Sequence, residues 1–370
     1  MSAADADLCV ALTPREPGGH EVALFGWLAD ARRLGLLRTT VIAPTPALAE
    51  ACRAAGLETD AGGAAPAGRP QRRDLLRRLS LWPRHKPLLL APGVLHADAW
   101  LLAAAAWQRR PLWVYVPMAH TAAAMGYRAA RLRDSLLAPW LRAVDAWITI
   151  DEQQAALLAG TWGLSVPVHV LPNVARLASP APLPETVSAD GRLRLAFVGR
   201  FDLHQKGLDW LAQTLQSDPA WGAHHRWRFQ GRGAGELALL ELASALGPGI
   251  VTVHGHAPIE QALAASDVLI LPSRYEGLPL VALEATACGR AVVASREANL
   301  GAILPAASLF DFGDAAGLRR ALDGLRAPVA RAAAVAHARK RLAAAQPEQC
   351  YRTALLGLAR ALRSGAGAAC

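Results

Sequence analysis

Short apolar runs alternate with helix-like segments through the whole 370-residue sequence. Repeated strand–helix units form mostly parallel sheets, because a helix must carry the chain back before the next strand can pair in parallel. The strand candidates form two sets of about six, at 8–12, 39–43, 88–90, 112–116, 146–150 and 168–171, and at 193–198, 226–230, 250–254, 268–271, 291–294 and 308–310. The alternation predicts two doubly wound α/β domains that face each other across a cleft.

A proline-rich segment separates the two sets of strands. Residues 179–192 contain three prolines and a Ser-Ala-Asp-Gly turn, and they show no apolar periodicity. A length of 370 residues also suits two domains of ordinary size. The expected parts are an N-terminal domain at 1–178, a linker at 179–192, a C-terminal domain at 193–345 and a last helical segment at 346–370.

The composition excludes several classes of protein. With 53% hydrophobic and 19% charged residues, the chain can fill two cores and is too weakly charged to be disordered. Five scattered cysteines without a CxxC pair fit neither a disulfide framework nor a zinc site. The N-terminus lacks the basic segment of a secretory signal, and polar residues interrupt the most apolar window, 88–107. We therefore expect a cytoplasmic protein.

Arginine supplies 36 of the 39 basic residues, and the formal net charge is +9. The segment from Arg69 to Trp82 alternates basic and apolar residues, with Leu75, Leu76 and Leu79 at helical spacing. Such a helix can lie on an anionic membrane with its leucines at the acyl boundary, or its leucines can face the core. A second segment, from Tyr127 to Trp140, has the same character and the same two interpretations.

Two acids flank the start of a predicted helix in the last third of the chain. Glu276 lies in the loop after a strand, and Glu284 lies in the second turn of the helix. The positive end of this helix attracts phosphate, which the amides of Gly277 and Leu278 can bind without a side chain. Ionised carboxylates only accept hydrogen bonds, so the acids suit sugar hydroxyls. Alternatively, Glu276 only favours the helix dipole and Glu284 only faces solvent.

Cations follow the first strand of the second half. Arg200 and Lys206 lie in one loop before a helix, and Lys206 is one of three lysines in the chain. Two cations beside a helix N-terminus can bind a diphosphate and stabilise the charge of a leaving group. A solvated surface pair is the alternative.

The first half places two further candidates directly after strands. Gly18 and Gly19 allow a ligand to approach the backbone closely, or they form an ordinary tight turn. His120 either contacts a reacting sugar or is a hydrogen-bonded loop residue. All the candidates therefore lie where doubly wound sheets bind ligands, after the carboxyl ends of the strands.

Together these residues resemble glycosyltransferase family 4, a retaining family with the two-domain GT-B fold. The resemblance covers nearly the whole chain. The motifs of the second half match the family specifically, and those of the first half match it loosely. It is carried by the Gly-Gly loop with Glu21, by His120, by LPN at 171–173, by FVGR with Lys206, and by the pair Glu276 and Glu284 with seven residues between them. One departure is Val174, which follows Asn173 where the family prefers glycine.

The resemblance implies that a hexosyl unit passes from a nucleotide diphosphate sugar to an acceptor hydroxyl, with the anomeric configuration retained. It assigns the donor diphosphate to Arg200 and Lys206, with the Gly18–Gly19 loop closing on it. Glu276 and His120 become the catalytic residues beside the transferred sugar, and Glu284 holds the ribose. No metal or other cofactor is expected, because the cations and helix amides supply the positive charge. The last helix is expected to cross back onto the N-terminal domain.

The basic segment bears on the acceptor. If Arg69 to Trp82 contacts the inner face of the cytoplasmic membrane, the acceptor is a lipid-linked glycan or a glycolipid, and the enzyme is peripheral and serves cell-envelope polysaccharide synthesis.

The sequence offers three alternatives to a glycosyltransferase. The glycines of GRGAG at 231–235 suggest a nicotinamide site, but the next strand does not end in the acid that such a site needs. A sugar-nucleotide epimerase of the same fold would alter its donor without any acceptor. A nucleic-acid-binding protein would need several basic tracts interleaved with aromatic residues, whereas most of the eleven tryptophans lie in apolar runs. We therefore expect no nucleic-acid partner.

Overall fold

The computed structural model describes residues 7–14, 18–61, 69–92, 95–96, 98–175, 190–345 and 347–364. Its contacts divide the chain into two compact units. The first unit contains Met1–Asn173 and Glu348–Cys370, and the second contains Val174–Pro347. The expected linker at 179–192 lies outside the described residues except for its last three.

The first unit is built on a seven-stranded parallel sheet of order β3-β2-β1-β4-β5-β6-β7. The chain turns back at β1, so that β2 and β4 pair with opposite edges of that strand. The strands are β1 (Leu8–Leu12), β2 (Thr39–Ala43), β3 (Glu58–Ala61), β4 (Leu88–Ala91), β5 (Leu112–Tyr115), β6 (Ala146–Thr149) and β7 (Val168–Val170).

Six helices connect these strands. They are α1 (Gly19–Arg33), α2 (Pro46–Ala54), α3 (Arg69–Leu81), α4 (Ala99–Trp107), α5 (Ala130–Leu141) and α6 (Glu152–Ala156), which continues as one π-helical turn (Leu157–Thr161). Helix α4 packs between α3 and α5. These three helices share one apolar core with β4 and β5, and they form one layer on the sheet.

The structure distinguishes between the two interpretations of the basic segment from Arg69 to Trp82. Leu75, Leu79 and Trp82 are buried in the core beneath α3, and Leu76 packs partly buried against it. Of the two interpretations of this segment, the structure supports the one in which the leucines face the core, because Leu75 and Leu79 are too deeply buried to meet acyl chains. The apolar stripe of α3 faces the sheet, because packing against β4 and α4 removes its leucines from water.

The second unit has a six-stranded parallel sheet of order β10-β9-β8-β11-β12-β13. Its strands are β8 (Leu193–Val198), β9 (His225–Gln230), β10 (Val251–His254), β11 (Val268–Leu271), β12 (Ala291–Ser295) and β13 (Leu309–Phe310). Its helices are α7 (Leu208–Ser217), α8 (Pro219–Gly222), α9 (Glu236–Leu246), α10 (Ile259–Ala264), α11 (Leu280–Ala287), α12 (Ala315–Asp323) and α13 (Pro328–Ala344). This strand order is that of a doubly wound dinucleotide-binding sheet.

The prediction of two parallel, doubly wound sheets is confirmed. In the second sheet, the strand order reverses between the neighbouring strands β8 and β11. Ligands of open α/β sheets bind outside the carboxyl ends of the strands at such a reversal. The loops that follow β8 and β11 therefore lie where a ligand site is expected.

A last helix, α14 (Pro347–Ser364), packs on the first unit. Tyr351 Oη donates a hydrogen bond to Asp30 Oδ2 at 2.5 Å, and Arg363 donates to the carbonyl of Gly35 at 2.8 Å. Both acceptors lie in or just after α1, so α14 covers the end of that helix. Among the described residues, no helix is both long and apolar enough to cross a membrane.

Candidate active site

An ion pair joins the loops that follow β8 and β11. Lys206 Nζ donates to Glu276 Oε1 at 2.6 Å, and Ser273 Oγ donates to the same oxygen at 2.8 Å. The Glu276 side chain is buried and that of Lys206 is mostly buried. Removing one member of such a pair leaves an uncompensated charge. The structure therefore brings these two predicted site residues together at the reversal of the sheet.

Gly207 allows the two loops to approach each other. Its φ is +64°, and a Cβ atom built on it lies 1.9 Å from the carbonyl oxygen of Pro272. Glycine alone combines this backbone conformation with so close a contact. The neighbouring Lys206 is thereby held against the loop that carries Glu276.

Arg274 fastens the same two loops and was not predicted. Its backbone amide donates to the carbonyl of Gln205 at 2.9 Å. Its guanidinium binds both carboxylate oxygens of Asp209, at 2.7 and 2.9 Å, and lies over the ring of Phe312. A bidentate pair fixes orientation as well as distance. No spacing in the sequence marks Arg274, because its partners come from a different strand–helix unit.

Arg200 and Lys206 share a loop but have different surroundings. Arg200 is an exposed residue whose guanidinium donates to Gln205 Oε1 at 3.2 Å, whereas Lys206 is held by Glu276. The exposed arginine is accessible to an anion from solvent.

The loop before α11 is anchored through its backbone. Asn299 Nδ2 donates to the carbonyl of Gly277 at 2.9 Å, and Ser295 Oγ donates to that of Ser273 at 2.5 Å. Pro279 is the N-cap residue and precedes the first turn of the helix. Gly277 and Leu278 therefore lead directly into the N-terminus of α11.

Glu284 lies in the second turn of α11 and is buried. The interpretation of Glu284 as a solvent-facing residue is therefore wrong. Burial raises its pKa to about 7, and the negative charge of Glu260 adds to the effect. This carboxyl group changes its charge near neutral pH.

In the first unit, the Gly18 amide belongs to the N-terminal cap of α1. It donates to Glu21 Oε2 at 2.8 Å, and His20 Nδ1 lies 2.8 Å from Glu21 Oε1. Burial alone raises the pKa of Glu21, but the neighbouring His20 and these hydrogen bonds leave it lowered. Gly19 is exposed, with no other atom within 4 Å of a Cβ built on it. Glycine has no side chain to return a hydrogen bond, so this cap contains only the Glu21 half of a capping box.

The loop that carries His120 is held by buried hydrogen bonds. The amide of Ala119 donates to Gln154 Oε1, and Trp162 Nε1 donates to the Ala119 carbonyl, both at 2.7 Å. Two residues after His120, the amide of Ala122 donates to Asp134 Oδ1 at 2.9 Å. His120 is half-buried. Sequence reasoning missed Gln154 and Trp162, because they follow Ala119 by 35 and 43 residues.

The predicted site residues thus divide between the units. Gly18, Gly19 and His120 lie in the first unit, and Arg200, Lys206, Glu276, Gly277, Leu278 and Glu284 lie in the second. In the described part of the chain, no group of three or more His, Cys, Asp or Glu residues is arranged to hold a metal ion.

The sequence of this chain is similar to those of known sugar-transferring enzymes. Residues 192–327, within the second unit, match the family model described as Glycosyl transferases group 1. The D-inositol 3-phosphate glycosyltransferase of Xylanimonas cellulosilytica is 28% identical over 291 residues, 66% of this chain and 68% of that protein. The lipopolysaccharide core biosynthesis mannosyltransferase LpsB of Rhizobium meliloti is 34% identical over 166 residues, 42% of this chain and 46% of LpsB.

The chain is a glycosyltransferase. Its fold is that of GT-B glycosyltransferases. The crystal structure of Anabaena HepE in complex with UDP-glucose covers 95% of this chain and 99% of HepE, with a TM-score of 0.73 and 17% sequence identity. The comparisons do not favour the alternative of a sugar-nucleotide epimerase.

Proposed function

We propose that this glycosyltransferase belongs to family 4 and moves a hexosyl unit from a nucleoside diphosphate sugar to an acceptor hydroxyl with retention of configuration. The observation that carries the proposal is the contact of Lys206 and Ser273 with one oxygen of Glu276, where the strand order of the sheet reverses. The UDP-glucose bound by the similarly folded HepE supports a donor of this class.

The donor diphosphate is assigned to Arg200 and Lys206. The exposed residue Arg200 offers the planar donor set of its guanidinium, and Lys206 offers a compact ammonium group. The N-terminus of α11, with the amides of Gly277 and Leu278, adds the positive end of a helix dipole. The resemblance adds the Gly18–Gly19 loop, which we propose closes on the same phosphates.

Lys206 resolves an electrostatic conflict at the site. A carboxylate near a diphosphate repels it, but Glu276 is neutralised by the ammonium group 2.6 Å away. Glu276 can therefore accept hydrogen bonds from sugar hydroxyls beside the phosphates. We assign the transferred sugar to Glu276 and His120, and the ribose hydroxyls to Glu284.

In the proposed reaction, the acceptor oxygen bonds to the anomeric carbon on the face that the diphosphate leaves. The bond from that carbon to the diphosphate oxygen breaks, and the acceptor proton passes to the leaving phosphate. Negative charge grows on the diphosphate, and fixed positive groups lower the energy of that state. Arg200 and the α11 amides supply this charge, and the Lys206 ammonium, which it shares with Glu276, has further N–H donors for the diphosphate. We therefore propose that transfer requires no metal or other cofactor.

We further propose a lipid-linked glycan or glycolipid as acceptor, in cell-envelope polysaccharide synthesis at the inner face of the cytoplasmic membrane. The support is the similarity to LpsB, a lipopolysaccharide core mannosyltransferase, together with the basic surface of the first unit. Exposed arginines of α3 contribute to that surface, whereas Leu75 and Leu79 are buried in the core.

The test is a panel of UDP-, GDP- and ADP-sugars with saccharide and lipid-linked acceptors, in the presence of EDTA. Release of nucleoside diphosphate measures turnover, and NMR of the product gives its anomeric configuration. We expect a retained anomer, with turnover at least about 100-fold lower in Glu276→Gln and in Lys206→Met. The matched control is Lys340→Ala, which removes an exposed lysine of α13.

An inverted product refutes retention, and loss of turnover in EDTA refutes the metal-free mechanism. Near-normal turnover in both variants refutes the site. Circular dichroism of each variant separates a lost site from a lost fold.

A further inference from the structure

Helix α5 has a second apolar face that the described protein leaves open. Leu137 and Leu141 are buried in the core, whereas Leu132, Leu136 and Trp140 are 62%, 64% and 36% exposed. The three exposed residues are spaced by four, so they form one stripe along the helix. Packing against the sheet explains the inner face and leaves the outer stripe unexplained.

Arginines border the outer stripe. Arg131 and Arg133 of α5 are exposed, as are Arg128 before the helix and Arg142 directly after it. The only acid in the α5 sequence is Asp134, and its Oδ1 is occupied by His96 Nε2 at 2.7 Å and by the amide of Ala122. The exposed side of α5 is therefore apolar and basic.

The neighbouring helices extend this surface. Helix α4 contains no charged residue and ends at the exposed Trp107. Helix α3, beyond α4, exposes Arg73, Arg77 and Leu81. Its acid Asp74 is paired with Arg77 and Arg78. All three helices form one layer, so the apolar and basic groups belong to one side of the first unit.

We propose that this α5 face docks on an anionic lipid bilayer. Leu132, Leu136 and Trp140 enter the boundary between headgroups and acyl chains, where tryptophan is favoured, and the flanking arginines contact lipid phosphates. The charge complementarity identifies the occupant as an anionic membrane, because the stripe is bordered on both sides by cations and the acid of its own helix is turned inward. Docking would bring the enzyme to a lipid-linked acceptor in the membrane, and in that respect the inference rests on the proposed function.

The experiment is co-sedimentation with vesicles of about seven parts phosphatidylcholine to three parts phosphatidylglycerol, and with vesicles of phosphatidylcholine alone. Wild-type protein should sediment with the anionic vesicles and be released as salt is raised. Leu132→Ser/Leu136→Ser/Trp140→Ser should bind them at least about tenfold more weakly. Arg131→Glu/Arg142→Glu should lose the preference for anionic vesicles.

Matched controls change the same residue types elsewhere. Leu237→Ser/Leu240→Ser alters two exposed leucines of α9, and Arg352→Glu/Arg360→Glu alters two exposed arginines of α14. Both controls should bind vesicles like the wild type. Because Trp140 is only 36% exposed, circular dichroism and the activity with a soluble acceptor check that the triple serine variant folds.

Equal binding by the wild type and the α5 variants overturns the proposal. The proposal is also overturned if neither protein binds vesicles and the wild type is a dimer while the triple serine variant is a monomer. That result assigns the stripe to a contact with a second copy of the chain. Release of nucleoside diphosphate with a soluble acceptor is measured in parallel. If the wild type transfers sugar normally and binds no vesicles, the docking proposal is refuted and the proposed function is not. If the wild type binds anionic vesicles and uses no nucleotide sugar, the proposed function is refuted and the docking proposal is not.

Discussion

The carboxyl group of Glu284 links nucleotide binding to pH. Burial, with a contribution from Glu260, raises its pKa to about 7. An ionised carboxylate can accept hydrogen bonds from both hydroxyls of a ribose, whereas a protonated one must also donate. If Glu284 holds the ribose, binding favours the ionised form, and affinity depends on the fraction of Glu284 that is ionised.

We expect the affinity for nucleoside diphosphate to rise between about pH 6 and pH 8, by at most about tenfold per pH unit. Glu284→Gln should bind more weakly and lack this additional rise. Isothermal titration calorimetry of both proteins at constant ionic strength measures the difference. The nucleotide's own ionisation affects both proteins equally, so identical pH profiles contradict the assignment of the ribose to Glu284.

The same residue makes folding depend on pH. Its pKa of about 7 in the folded state lies above the ordinary pKa of 4.5 for a glutamate, so between these pH values the folded state holds a proton that the unfolded state has lost. The free energy of unfolding should therefore fall as pH rises through this window, by at most about 1.4 kcal/mol per pH unit. Urea denaturation of the wild type and of Glu284→Gln at several pH values measures this dependence. The free energy of unfolding should fall less with rising pH in the variant than in the wild type.

Among the loops, the Gly-rich segment after β9 shows what a motif can and cannot reveal. A Cβ on Gly231 lies 1.9 Å from the carbonyl oxygen of Gly199, and one on Gly233 lies 2.8 Å from backbone atoms of Phe201. Both glycines have φ near +150°. The sequence argued against a nicotinamide site here, but only the structure shows that the glycines pack this loop against the one that carries Arg200.

Gly231→Ala should lower the free energy of unfolding by at least about 2 kcal/mol, because the new methyl group meets backbone and the φ is unfavourable. The matched control is Gly249→Ala, where a Cβ meets nothing within 4 Å and φ is not in the positive range. Urea denaturation of both variants makes the comparison. Equal stabilities contradict the close contact.

The His120 loop depends on elements far away in the sequence. Gln154 of α6 and Trp162 after the π-helical turn hold both backbone groups of Ala119, the residue directly before His120. This arrangement makes Gln154 and Trp162 positioning residues: they need not touch the sugar, but they set where His120 lies.

Trp162→Phe keeps most of the ring and removes the hydrogen bond to Ala119. We expect turnover to fall several-fold with little change in the KM for the donor, and stability to fall by about 1 kcal/mol. The control is Trp221→Phe, because Trp221 is equally buried and its Nε1 donates no hydrogen bond. A purely structural role for Trp162 lowers stability and leaves the turnover of the folded enzyme unchanged.

For the whole molecule, apolar runs revealed most of the architecture because a buried parallel strand must be apolar on both faces. Strand β3 was missed because its sequence, Glu-Thr-Asp-Ala, carries no such run and pairs only at the sheet edge. The site was predictable where it depends on position after a strand, as for Lys206 and Glu276. Their contact was not predictable, because 70 residues separate them and the sheet topology alone brings them together.

The two units have separate sheets and cores, so their stabilities can be changed separately. Leu358 of α14 is buried in the first unit, and Leu356 on the same helix is exposed. Leu358→Ala should destabilise the first unit by about 2–4 kcal/mol, whereas Leu356→Ala should change its stability by less than about 1 kcal/mol. Hydrogen–deuterium exchange in increasing urea measures the stability of peptides from β1–β7 and from β8–β13 independently.

Nucleoside diphosphate at about 100 times its Kd should protect the peptides from β8–β13 by up to about 2.7 kcal/mol. Since the proposed donor site lies mainly on the second unit, this protection should persist in Leu358→Ala, and nucleotide protection confined to β1–β7 contradicts that placement.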